Sequence, residues 1–69
     1  MEISDKTQKF LTSEYGYDYS IDDYFQDLVD EHSISYETVE HLAELLGEEE
    51  LFDGLIVACE DASIRTEGF

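Results

Sequence analysis

Between Lys9 and Arg65 the chain runs for 55 residues without a lysine or an arginine, and 16 of its 19 Asp and Glu residues fall inside that run. No neutralising pair can form there at helical spacing, and like charges one turn apart each oppose a helix by a few tenths of a kcal/mol. Whatever folds in this stretch must be held by apolar burial and by caps. The means are present: 42% of the 69 residues are apolar, and five tyrosines and four phenylalanines stand among them. That is not the composition of a disordered acidic tail.

A single small domain spanning residues 1–69 is expected, with a thin core. Cys59 is the one cysteine, so no disulfide framework supports it. The opening residues Met1-Glu2-Ile3-Ser4-Asp5 lack a basic region followed by an apolar run, and the longest uninterrupted apolar stretch, Leu55 to Cys59, is far short of a membrane span. The expectation is an untargeted cytoplasmic protein.

Helical periodicity organises most of the chain. Ile21, Tyr24, Phe25, Leu28, Val29 and His32 make one apolar stripe, and Ser20 with Asp23 forms a capping box ahead of it. Ser35 caps a second helix, with Ile34 and Val39 as its hydrophobic staple, Val39, Leu42, Ala43 and Leu46 as its stripe and Gly47 as its stop. Glu48 to Glu50 are placed at the start of a third, which continues through Leu51, Phe52, Leu55, Ile56, Cys59 and Ala62. Asp53-Gly54 is also a turn signal, which leaves Leu55 to Cys59 as a short buried strand in the alternative. Ser4 caps a short helix over residues 5–14, and Tyr15, Tyr17 and Tyr19 then alternate as an extended segment. The fold class is all-α, a bundle of three to four short helices with that tyrosine-rich segment at its N-terminal side, and α+β is the alternative.

Most familiar chemistries fail on spacing. A calcium loop started at Asp18 meets Asp23 where the turn glycine belongs and Val29 where the bidentate glutamate belongs. His32, His41 and Cys59 have no zinc spacing: His32 reads as a boundary residue, His41 as solvated and Cys59 as core. No nucleophile, base and orienting group stand together, and no glycine-rich phosphate loop occurs, so neither an enzyme nor a cofactor is expected. An acyl carrier protein would need an Asp-Ser-Leu motif, which is absent.

With Lys6, Lys9 and Arg65 as its only fixed cations and a net charge of -16, the chain is not expected to bind nucleic acid or an anionic membrane directly. That charge also exceeds what solubility asks of a small domain, about 2 to 8 in either sign. Treated as a sphere of radius of gyration ~11 Å, the molecule would carry about one charge per 1.8 Å of diameter, against about one per 1.7 Å along duplex DNA. A salt-adapted proteome is the competing explanation of the charge.

In overall character the chain resembles the small acidic DNA-mimic inhibitors encoded by phages and mobile elements, particularly anti-CRISPR proteins, with antirestriction proteins as the neighbouring class. What carries the resemblance is a very short single domain, a charge of -16, an acidic run from Asp18 to Asp61 free of Lys and Arg, and the lack of a catalytic motif. The resemblance implies a stoichiometric inhibitor that occupies the Lys/Arg-lined channel of a Cas effector, or of another basic DNA-binding protein, and excludes the PAM-bearing duplex. The resemblance carries over no residue; from the acidic helix faces the expected contacts are Asp22, Asp23, Asp27, Asp30 and Glu31, joined by Glu37, Glu40 and Glu44 if the two helices align, with Tyr17 and Tyr19 as anchors. A different class remains open, a regulatory interaction module of antitoxin or adaptor type that binds through an apolar or tyrosine-rich face.

Overall fold

The computed structural model describes residues 1–67, with side chains through Ile64. Among them are four helices and no strand: α1 (Asp5–Tyr15), α2 (Ile21–His32), α3 (Tyr36–Leu46) and α4 (Gly54–Glu67), with a 3-10 turn at Glu48–Glu50 between the last two. The all-α expectation holds, and none of these helices is long and apolar enough to cross a membrane.

The caps are where the sequence places them. Ser4 accepts from the Thr7 N–H and Ser35 from the Thr38 N–H, at 3.4 and 3.2 Å. Ser20 and Asp23 exchange both bonds of the capping box, Asp23 N–H to Ser20 Oγ at 3.3 Å and Ser20 N–H to the Asp23 carboxylate at 3.0 Å. Each satisfies helix-end donors that would otherwise have no partner. Gly16 and Gly47 end α1 and α3 at φ of 140° and 92°, a backbone that disfavours any residue with a Cβ. At the end of α2 that position falls to Ser33, at φ 55°, and the Ile34 N–H then returns to the Val29 carbonyl at 3.3 Å.

α2, α3 and α4 form the centre of the bundle. α2 contributes Ile21, Tyr24, Phe25 and Leu28, α3 contributes Val39 and Ala43, and α4 contributes Leu55 and Cys59, all buried. The staple pair Ile34 and Val39 joins them. α1 attaches by fewer points: buried Leu11, the Phe10 ring 4.5 Å from that of Phe52, and Ser4, whose N–H and hydroxyl both donate to the Glu48 carboxylate at 2.6 and 2.7 Å.

Three expectations are corrected. Tyr15 to Tyr19 is a turn and not an extended segment: Tyr15 closes α1, the Tyr19 N–H reaches back to the Gly16 carbonyl at 3.2 Å, and the Tyr15 and Tyr19 rings stack at 4.4 Å. The alternation of tyrosines reflects a glycine-hinged reversal, so the α+β alternative falls. Glu48 to Glu50 stand outside α4, in a separate 3-10 turn, while Leu55 to Cys59 are helical as expected and the strand alternative falls. At Glu48 to Glu50 the chain makes i to i+3 bonds, Leu51 enters the core, and the helix restarts where the Asp53 carbonyl accepts from Val57. Finally, the molecule is elongated, 39 × 20 × 17 Å with a radius of gyration of 12.0 Å, and not spherical. Sixteen net charges on a 39 Å axis come to one per roughly 2.4 Å, more dilute than the duplex value of about 1.7 Å.

Candidate protein-binding surface

Burying Ile21, Tyr24, Phe25 and Leu28 turns the opposite side of α2 outward, and on it Asp22, Asp23, Asp27, Asp30 and Glu31 are all exposed. α3 does the same on a smaller scale. With Val39 and Ala43 inside, Glu37, Glu40 and Glu44 line a shallow depression together with His41, Glu40 being half-buried and the others exposed.

The two acidic faces meet at Tyr36, a residue that the sequence did not single out. Its ring lies 6.0 Å from that of Phe25, and its hydroxyl donates to the Asp22 carboxylate at 2.8 Å. Burial, the bond to Asp22 and the charges of Asp22 and Glu40 push the Tyr36 hydroxyl up to about 12. It therefore stays a protonated donor between a carboxylate of α2 and one of α3. Nothing in the spacing of Asp22 and Tyr36, 14 residues apart, announces this contact.

Several of the expected contact residues already serve the fold. Asp23 closes the capping box, Asp27 accepts from the Tyr19 hydroxyl, and Asp30 receives a long bond, 3.4 Å, from the Gln26 amide. A carboxylate has about four acceptor positions, so one internal bond orients the group without exhausting it. These carboxylates are held in place before any partner arrives, which lowers the ordering cost of binding.

The two expected anchors differ in kind. Tyr17 is 89% exposed, whereas Tyr19 is half-buried, stacked on Tyr15 and bonded to Asp27. Burial first, and then the bond to Asp27, push the Tyr19 hydroxyl well above the ordinary tyrosine range. Tyr24 lies deeper still and its hydroxyl, also pushed up by burial, donates to the Leu51 carbonyl at 2.6 Å. Buried Cys59 is likewise raised by burial alone, and His41 is exposed.

Among the described residues, no three His, Cys, Asp or Glu side chains are arranged to hold a metal ion. The carboxylates spread along helix faces instead of converging on a point. Comparison with protein-family models, with curated proteins and with solved structures gives no match.

Proposed function

We propose that the protein is a DNA-mimic inhibitor that occupies the Lys/Arg-lined DNA-binding surface of another protein, with the PAM-reading channel of a Cas effector as the target its resemblance implies. One observation carries the reading: the acidic faces of α2 and α3 are joined through the Asp22–Tyr36 bond on the outside of a narrow rod. The rod is 39 Å long, close to the ~34–36 Å of one duplex turn. Its charge per length is below that of DNA, but Asp22 and Asp27 are oriented by tyrosine hydroxyls and Asp23 by the capping box. Complementary charge would speed encounter and make binding salt-sensitive.

Cleavage of a PAM-bearing duplex by a guide-loaded Cas effector tests this. Added at a one-to-one ratio, the protein should suppress cleavage, and the double variant Asp30→Lys with Glu44→Lys should weaken inhibition by about ten-fold or more. Asp30 and Glu44 are the suitable pair, because reversing Asp23 or Asp27 would also remove a cap or the partner of Tyr19. A restriction endonuclease on its own site serves as the parallel target for the antirestriction class. Full cleavage by both enzymes overturns the reading.

A second reading has its own observation. Val57 and Ile64, seven residues apart on α4, are 61% and 68% exposed, and Leu45 on α3 is 70% exposed. These side chains suit an interaction module whose acidity is incidental. Under that reading Val57→Glu with Ile64→Glu abolishes partner binding, and Asp30→Lys with Glu44→Lys leaves it intact.

A further inference from the structure

The acidic surface is not uniform. Where the turn after α1 meets α2 and α4, a groove of about 190 Å³ opens, and tyrosine rings form part of its wall. Tyr15 and Tyr19 stack with planes 20° apart, and the Tyr24 ring lies 6.1 Å from that of Tyr15. Tyr24 is locked by its bond to the Leu51 carbonyl and Tyr19 by its bond to Asp27, so two of the three rings have fixed positions. Carboxylates come from both flanking helices, Asp27 and Glu31 from α2 and Glu60 from α4.

We infer that this groove receives an arginine side chain of the partner protein, its guanidinium plane laid on the exposed face of Tyr15 and its N–H groups directed to Asp27, Glu31 and Glu60. The inference rests on the proposal that the partner surface is rich in basic residues. Charge complementarity selects a cation, and among cations the shape of the site selects arginine. A guanidinium is planar, stacks on aromatic rings and sheds water more readily than an ammonium, whereas lysine offers a compact, strongly hydrated point charge. The carboxylates line a groove without forming a cluster able to hold a metal ion, which suits a fork of five N–H donors better than a single ion. His32 also lines the groove.

The depression of Glu37, Glu40, His41 and Glu44 on α3 supplies an internal control, since it has carboxylates but no tyrosine lining. The test is a titration of the intact protein with N-acetylarginine amide and, separately, N-acetyllysine amide, followed residue by residue by NMR. Saturable shifts confined to Tyr15, Tyr19, Asp27, Glu31 and Glu60 are expected, with arginine preferred over lysine. Tyr15→Leu should weaken arginine binding about five-fold and Tyr15→Phe should restore it. Glu31→Gln should weaken both ligands. Equal shifts at the α3 depression, equal affinity for the two amides, or no saturable shift in the groove would overturn the inference. No target protein enters this titration, so its failure leaves the DNA-mimic reading standing, and failure of the cleavage assay leaves the groove result standing.

Discussion

At the scale of the residue, Tyr24 shows how much one hydroxyl can hold. It is 4% exposed, and its bond to the Leu51 carbonyl ties α2 to the chain between α3 and α4. Tyr24→Phe keeps the ring and strands that carbonyl in the interior, which should cost about 1–3 kcal/mol in denaturant unfolding. An unchanged midpoint would mean that the carbonyl finds another donor. Ser33 works in the other direction: it holds a left-handed conformation, φ 55° and ψ 44°, without being glycine. Ser33→Gly relieves that backbone, and stability should rise by about 0.5–1 kcal/mol after the greater freedom of glycine in the unfolded chain is subtracted. Tyr24 was visible in the sequence as a core position, but its partner was not, and Ser33 was not singled out. A hydroxyl meeting a carbonyl 27 positions away depends on how helices pack, which no local pattern encodes.

At the scale of the element, each helix is limited by a cap or a glycine, and those signals are local, so the boundaries of α2 and α3 were legible. The failure at Tyr15 to Tyr19 has a local cause: the alternation is short and is interrupted by Gly16, and there periodicity cannot separate strand from turn. The outward acidic faces of α2 and α3 followed from their apolar stripes, whereas the seam at Tyr36 and the groove beside Tyr15 needed the tertiary arrangement. The start of α1 is tied to the 3-10 turn through Ser4 and Glu48. The two bonds from Ser4 hold the Glu48 carboxyl below its ordinary range. A depressed folded-state value means that this stabilisation is fully present above the unfolded-state value and is lost as pH falls through the folded one. As pH falls from neutral to below the ordinary glutamate value, the melting temperature of the native protein should therefore fall relative to that of Glu48→Gln. A loss of the same size in the variant would place its origin elsewhere.

At the scale of the whole molecule, a charge of -16 on a body of 39 × 20 × 17 Å sets self-repulsion against a small core. The Debye length falls from about 30 Å at 0.01 M salt to about 8 Å at 0.15 M, from nearly the length of the molecule to well under its width. Melting temperature should rise over that interval, and a flat or falling curve would show that repulsion is not the opposing force. Under the proposed function, the same charge describes the partner as one whose own surface is built for DNA. The central claim is that this protein and a duplex compete for the same basic surface. Its most direct test is displacement of a fluorescent PAM-bearing duplex from a guide-loaded Cas effector. The account predicts that duplex is released with one-to-one stoichiometry and that rising salt weakens the displacement. A ternary complex in which duplex stays bound beside the protein would contradict it.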